Sequence, residues 1–135
     1  HVRSRRQRQM CIRDSIRALK NKPGIHSARL AKRKGGFFPA MKFIFKKLEK
    51  KKNKSAFFVC NLSYKKPLGK IISVEGKIHG KISTRILGKK GFGYDSIFIP
   101  NNKKVTFGQM PKIKKMKIDH RHIAFKKLKK KIKTL

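Results

Sequence analysis

Residues 55–84 read SAFFVCNLS, YKKPLG, KIISVE and GKIHGKIST in succession, and the expected architecture is built outward from them. The first run, residues 55–63, is apolar and β-prone, which is typical of a well-buried strand. YKKPLG predicts a turn, and the runs 70–75 and 76–84 predict a second and a third strand. Three successive strands form an antiparallel meander. Gly80 within the third run indicates a bulge or a close approach of another backbone.

Helical periodicity appears on the N-terminal side of this meander. Residues 38–52 place apolar side chains on one face at helical spacing, with Lys elsewhere. We expect an amphipathic helix that packs on the core, with a membrane-surface helix as the alternative. The apolar positions are Phe38, Met41, Ile44, Phe45 and Leu48.

Shorter sequence signals predict turns, a loop, a short strand and helix caps in the rest of the chain. The KPG sequence at 22–24 predicts a turn, and GKKGFG at 88–93 predicts a flexible loop before a short strand at 97–99 that Pro100 stops. Thr106 and Gln109 have the spacing of a capping box, so a helix is expected to begin near Thr106. Asp119 is expected to cap a final helix.

Residues 1–15, HVRSRRQRQMCIRDS, differ from the rest of the chain. They hold five Arg and no Lys, and they show no apolar periodicity. We interpret them as non-native, translated sequencing-adaptor sequence joined to a truncated reading frame, with a genuine basic arm as the alternative. They are therefore left out of the expected fold.

The charge of the chain is the first functional constraint. With 40 Lys and Arg against five Asp and Glu, the formal net charge is +35, which makes nucleic acid a candidate partner. The Lys are spread over nearly every segment and Arg is scarce after Arg33, whereas proteins that read bases rely on Arg. We therefore expect only weak, non-specific nucleic-acid binding.

Two further classes are disfavoured by the composition. No apolar run approaches the roughly 20 residues of a membrane span, so no membrane partner is expected. Cys11 and Cys60 lack metal-ligand spacing, and no set of His, Cys and carboxylates is spaced for a metal site. This cysteine usage favours a reducing, cytoplasmic compartment, with Cys60 as a small buried apolar residue.

Residues 91–95, GFGYD, form the first candidate site. The two glycines allow positive φ and a close ligand, and Phe92 and Tyr94 can stack on a flat ring. Asp95 can accept hydrogen bonds from ring N–H groups. The alternative is an ordinary packed turn.

The second candidate site lies at residues 115–121. If Asp119 caps the last helix, His120 and Arg121 occupy its first turn, where free backbone N–H groups favour an anion or an electronegative carbonyl. Lys115 would add a further donor. The alternative is a solvated basic helix start.

Taken in order along the chain, these segments resemble the inosine triphosphate pyrophosphatase family, hydrolases of non-standard purine nucleoside triphosphates. The resemblance covers residues 16–135, and GFGYD followed by a His-Arg pair at this spacing is a specific combination. The matching stretches are PGIHSAR (23–29), AFFVC (56–60), GKIHGKI (76–82), GFGYDSIF (91–98), TFGQM (106–110) and DHR (119–121).

The resemblance implies which residues bind the purine nucleotide. They are Phe92, Gly93, Tyr94, Asp95, Lys115, His120 and Arg121. Three departures from the family pattern are visible. Ser96 stands where Pro is usual, Gln109 replaces a common Glu, and Asp119 replaces a usual Ser, and the last two substitutions preserve helix capping.

The family's N-terminal third finds no match in this chain. That third supplies a phosphate-binding Ser-Gly-Asn-x-x-Lys segment, a metal-binding Glu, and an Asp-Asp-Ser-Gly segment with the general base. Asp14 and Ser15 lie at the wrong distance from Ala18 to be a relic of the last segment. We expect residues 16–135 to be the C-terminal two-thirds of one domain, with no catalytic residue, and the Mg²⁺ ligands to lie in the missing segment.

The resemblance also implies the architecture and the activity. The fold would be α/β, elongated and mixed-sheet, usually in a homodimer. The activity would be magnesium-dependent hydrolysis of ITP, dITP or XTP to the monophosphate and pyrophosphate, with this chain inactive alone. A basic RNA- or DNA-binding module, in which Phe and Lys supply stacking and phosphate contacts, is the alternative function.

Overall fold

A computed structural model describes residues 7–19, 22–24 and 27–133, with side chains from residue 15 to 19 and from 29 to 133. Within these described residues there are five strands and four α-helices, with single 3-10 turns at Arg17–Leu19, Asp95–Ile97 and Phe107–Gln109. The strands are β1 (Gln7–Ile16), β2 (Lys22–Gly24), β3 (Ser55–Lys65), β4 (Ile71–Ile82) and β5 (Phe98–Pro100). The helices are α1 (Ser27–Lys34), α2 (Phe37–Leu48), α3 (Lys112–Met116) and α4 (His120–Lys133).

The strands form one sheet in the order β2-β1-β3-β4-β5. Every pairing among the described residues is antiparallel, so this part of the chain supplies only the antiparallel portion of the mixed sheet that the family resemblance implies. β3 is the central strand, paired with β4 along its whole length and with β1 from Ala56 to Lys65. The predicted strand at 55–63 is therefore confirmed, and it extends two residues further.

The expected third strand of the meander is wrong. Residues 71–82 form one continuous strand, β4, and Gly76 continues the strand where a break was expected. A side chain at Gly76 would overlap the backbone of His120 and Ala124, so the glycine serves close packing of α4 on the sheet. Gly80 makes the close backbone approach that was predicted, against Ile99 and Pro100.

The N-terminal residues take part in the sheet, contrary to their exclusion from the expected fold. β1 pairs with β3 from Gln7 to Ile16, and the predicted turn at 22–24 is instead the short strand β2. A strand ladder is made by main-chain groups and accepts most side chains, so this pairing leaves the non-native origin of residues 1–15 as a prediction.

Helix α2 confirms the helical periodicity, with one change to its buried face. Met41, Ile44 and Leu48 are buried as expected, together with Ala40. Phe38 lies in the first turn and is 54% exposed, so it does not belong to the core-facing side.

Among the described residues, two core clusters hold the layers together. The larger one joins α2 to one end of the sheet and to the segments after β4, and the smaller one joins α4 to Cys60, Tyr64 and Val74. Within the larger cluster, Phe58 stacks on Phe98 with ring centroids 4.0 Å apart. Burial of a side chain of this size stabilises the fold by about 1.5–3 kcal/mol. Cys60 is buried in the smaller cluster, as predicted.

The two predicted helix caps have different outcomes. Thr106 donates its backbone N–H to Gln109 Oε1 at 3.0 Å, but the helix that follows is a single 3-10 turn. Pro111 ends it, because the residue before a proline is driven to extended backbone, and Met110 has φ −81° and ψ 139°. Asp119 caps α4 as predicted, since its Oδ1 accepts the His122 N–H at 2.8 Å.

No helix in the described part of the chain has both the length and the apolar character needed to cross a bilayer.

Candidate functional site

An open cavity of about 600 Å³ lies between the GFGYD loop, α3 and the start of α4. Its wall combines aromatic and thioether side chains with cations. The lining residues are Gly91, Phe92, Met110, Lys112, Lys115, Met116, Asp119, Arg121, His122 and Phe125. This mixture of apolar surface and a few donors is the composition expected of a small-molecule site.

The loop at 91–95 is held by its own aspartate. The Phe92 N–H donates to Asp95 Oδ2 at 3.0 Å, and the Asp95 N–H donates back to the Phe92 carbonyl at 3.3 Å. Gly91 has φ +74°, and a Cβ there would overlap the Asp95 carboxylate. The loop therefore requires glycine at 91, and it leaves the Phe92 side chain 55% exposed at the cavity.

Lys115 fastens this loop to α3. Its Nζ lies 2.5 Å from Asp95 Oδ2, and both side chains are buried. The same ammonium lies 4.7 Å from the centroid of the Phe92 ring and 5.5 Å from that of Phe107. Asp95 thus accepts hydrogen bonds from Lys115 and from the loop backbone. The sequence had suggested that it would accept them from ring N–H groups of a ligand.

Arg121 reaches the same aromatic ring from α4. Its Cζ lies 4.1 Å from the Phe92 ring centroid, a cation–π contact. Its Nε is buried and has no hydrogen-bond partner within the described part of the chain. Because Asp119 satisfies only part of the helix N-terminus, the first turn of α4 adds backbone N–H groups and positive potential beside the cavity.

His120 lies behind the cavity wall and faces the core. It packs edge-on against Phe58 with ring centroids 5.4 Å apart, and neither ring nitrogen has a partner among the described residues. Burial, with the nearby Arg121 and Lys115 charges, lowers the pKa of His120 from 6.5 to about 3. The imidazole is therefore neutral at physiological pH and does not add a positive charge.

The structure brings together only part of the predicted site. Phe92, Lys115 and Arg121 line the cavity, and Asp95 supports them from below. Gly93, Tyr94 and His120 do not line it. Tyr94 is buried and packs edge-on against Phe37, with ring centroids 5.1 Å apart, and Gly93 takes the positive φ of +62° that the loop needs.

Several lining residues were not predicted as site residues from the sequence. Met110, Met116 and Phe125 form much of the apolar wall, and Lys112 and His122 complete the polar part. One signal was available for Phe125: it lies four residues after Arg121 on a predicted helix, so the two share a face.

The described residues do not fit a magnesium site. No three His, Cys, Asp or Glu side chains cluster in this part of the chain. Asp95 is paired with Lys115, and Asp119 caps α4. Glu49 and Glu75 are exposed and lie on α2's C-terminal end and on β4, away from the cavity lining. A hard divalent cation needs several convergent oxygens, which these positions do not offer.

Comparison with known proteins points to one family. The sequence profile of the Ham1 family matches residues 13–131. A dITP/XTP pyrophosphatase of Borreliella burgdorferi is 42% identical over 122 residues, which cover 85% of this chain and 60% of that protein. One from Caulobacter vibrioides is 39% identical over 117 residues, with the same two coverages. The chain thus spans about 60% of the length of these curated relatives.

Comparison with solved structures indicates the same family. A Staphylococcus aureus Ham1 protein matches with a TM-score of 0.90 at 28% identity, covering 97% of this chain and 68% of that one. A HAM1 protein from Coxiella burnetii matches with a TM-score of 0.88 at 25% identity, covering 96% and 68%. The predicted fold class, α/β with the architecture of this family, is confirmed, and so is the resemblance that the motifs indicated.

Replacing Lys115 with Met is expected to lower the free energy of unfolding by about 3–5 kcal/mol, because the buried Asp95 carboxylate would lose its counter-charge. Denaturant unfolding followed by circular dichroism measures this loss. Lys114→Met is the matched control, since its side chain is exposed on the same helix and should change stability by less than about 0.5 kcal/mol. Equal losses in the two variants would contradict the role given to the pair.

His120 should make the fold acid-sensitive. Between pH 6.5 and about 3 the unfolded chain binds a proton at this residue that the folded chain does not. The free energy of unfolding should therefore fall with decreasing pH in that window, by up to about 1.4 kcal/mol per unit, and not change through His120 above it.

Unfolding titrations at several pH values on the wild type and on His120→Leu test this expectation. The stability difference between the two should shift in favour of the variant as the pH falls from 6.5. Leu128→Ala, which destabilises the same helix without removing a titrating group, should run parallel to the wild type. A parallel curve for His120→Leu would show that the imidazole does not titrate in this way.

Proposed function

The chain belongs to the Ham1 family, and from that premise we propose that it carries the base-recognition part of a pyrophosphatase acting on non-standard purine nucleoside triphosphates. The names of its relatives, dITP/XTP pyrophosphatases, supply the substrate class. The observation that carries the proposal is Phe92 at the cavity wall with the cations of Arg121 and Lys115 over its ring.

Each of these three groups has a distinct part in binding a purine. A base stacks on the exposed Phe92 ring and exchanges a cation–π contact for a stacking contact. Arg121 then turns donors toward the edge of the base, and its unpartnered Nε gains an acceptor. Lys115 donates one N–H to Asp95. An ammonium has three N–H donors, so two remain for the base.

Selectivity between bases follows because Arg121 and Lys115, the side chains that would face the edge of the base, can only donate hydrogen bonds. Inosine and xanthosine present a 6-oxo acceptor, which pairs with Arg and Lys donors. Adenosine presents a 6-amino donor at that position, and neither cation can accept from it. A buried polar site left unpaired by the wrong substrate can discriminate by about 10⁴ or more. Guanine also has a 6-oxo group, so its exclusion involves the 2-position.

The proposed reaction is attack of water on the triphosphate, giving a nucleoside monophosphate and pyrophosphate. Catalysis of this kind is mostly positioning and charge stabilisation at the phosphates. The described residues offer no cluster of metal ligands, and the family's Ser-Gly-Asn-x-x-Lys segment has no match in the sequence. We propose that these functions, including the Mg²⁺ ligands, lie in the family's N-terminal third, and that the complete enzyme is a cytoplasmic homodimer.

The chain as given is expected to release no measurable pyrophosphate from ITP in the presence of magnesium. Joining residues 16–135 to the N-terminal third of a relative should restore release, because positioning and charge stabilisation together account for many orders of magnitude in rate. A pyrophosphate-release assay on both proteins makes the comparison. Hydrolysis by the chain alone would mean that catalytic carboxylates have been overlooked in it.

Within that chimera, Arg121→Ala should lower kcat/KM for ITP by about 2–4 kcal/mol of transition-state binding, the effect of losing a hydrogen bond from a charged donor. The preference for ITP over ATP should narrow in parallel. Arg85→Ala removes an exposed Arg outside the cavity and should leave both quantities unchanged. An unaltered ITP-to-ATP ratio in Arg121→Ala would refute base recognition by this residue.

A further inference from the structure

The two faces of the sheet differ in what covers them. Helices α2 and α4 pack on the face that carries Ala56, Phe58 and Cys60 of β3. Side chains alternate between faces along a strand, so the odd-numbered residues of β3 and β4 lie on the opposite face. Neither core cluster includes a β3 or β4 side chain from that opposite face, although Val59 on that face is itself buried.

Cationic groups converge on one aromatic ring at this opposite face. Phe57 is half-buried, and the Lys77 Nζ lies 4.2 Å from its ring centroid. The Arg17 Cζ lies 5.3 Å from the same centroid, and the His79 ring, paired across the strands, lies 5.9 Å away. Lys81 continues the row along β4. We call Arg17, Phe57, Lys77, His79 and Lys81 the basic sheet face.

The charges of this surface favour an anionic occupant. Arg17, Lys77 and Lys81 are exposed, and the single acidic residue of β4, Glu75, lies on the same face by the same alternation. Cations held around one ring repel one another, and a polyanion that passes between them relieves this repulsion. A second copy of the chain does not fit, because it would bring an equal positive charge against the same surface.

We propose that the basic sheet face binds single-stranded nucleic acid, with a base stacked on Phe57 and phosphates on Arg17, Lys77 and Lys81. A positively charged track beside an aromatic platform is how single strands are bound without sequence preference. Two of the three cations are Lys, which contact phosphate as point charges and do not form the bidentate fork that selects a base.

An anionic membrane is the competing occupant, and the apolar content of the face argues against it. Peripheral proteins insert exposed apolar side chains below the headgroups. Here Phe57 is the only large apolar side chain of the set, and it is half-buried between its neighbours. None of the five residues lines the cavity, so the proposed surface is separate from the candidate nucleotide site.

Fluorescence anisotropy with a labelled oligothymidylate measures the proposed binding directly. Lys77→Gln with Lys81→Gln should weaken binding at low salt by about tenfold and flatten its salt dependence. Phe57→Leu should weaken it by about fivefold or more, the lower end of the effect of losing one stacked base. Lys129→Gln with Lys130→Gln is the control, since it removes the same charge from exposed positions on α4 and should change affinity by less than about twofold.

Equal losses in the two lysine pairs would overturn the proposal, because affinity would then come from diffuse charge. Binding to phosphatidylserine vesicles without binding to the oligonucleotide would overturn it in favour of a membrane surface.

Circular dichroism confirms that each variant is folded, and lysine acetylation of the wild-type chain gives an independent measurement of the binding surface. The oligonucleotide should protect Lys77 and Lys81 from acetylation while Lys129 and Lys130 react as before, and uniform protection would contradict the assigned surface.

Discussion

A buried contact between the Lys115 ammonium and the Asp95 carboxylate, 2.5 Å apart, joins the glycine loop to α3, and the cavity depends on it. The same carboxylate oxygen accepts the Phe92 N–H, so one atom fixes both the loop backbone and the cation beside it. Gly91 leaves room for that oxygen where any Cβ would not. Burying a charge pair costs desolvation energy, and the short ion pair together with the Phe92 N–H donated to the carboxylate offsets part of that cost. The exposed Phe92 ring beneath Arg121 is the result.

The large positive charge of the chain has two structural settings. At the cavity, the Lys115 ammonium is buried and paired with the Asp95 carboxylate. On the opposite face of the sheet, Lys77 and Lys81 are exposed to solvent. Buried pairs are weakly screened by salt, whereas exposed cations are screened within about 10 Å at 0.1 M ionic strength. The two surfaces should therefore respond differently to salt.

Particular elements show which features could be predicted from the sequence and which could not. The periodicity of 38–52 predicted α2, and the apolar run at 55–63 predicted β3. Both predictions were possible because the spacing of apolar residues along the sequence shows which side chains are buried. Gly76 could have been a turn or a close approach, and only the position of α4 distinguishes the two. Phe92 and Tyr94 are both aromatic residues of one loop, yet one faces the cavity and the other packs under Phe37. Their directions depend on contacts that lie far away in the chain.

Composition, helical and strand periodicity, the Asp119 cap and the order of the motifs are properties of neighbouring residues, and the sequence alone was enough to establish them. The apolar wall of the cavity, the neutral buried state of His120 and the pairing of Asp95 with Lys115 were decided by the folded chain. That pair joins residues 20 positions apart, and the pKa of His120 is set mainly by burial. Such distances and dielectric surroundings exist only after packing, so no pattern in the linear chain encodes them in readable form.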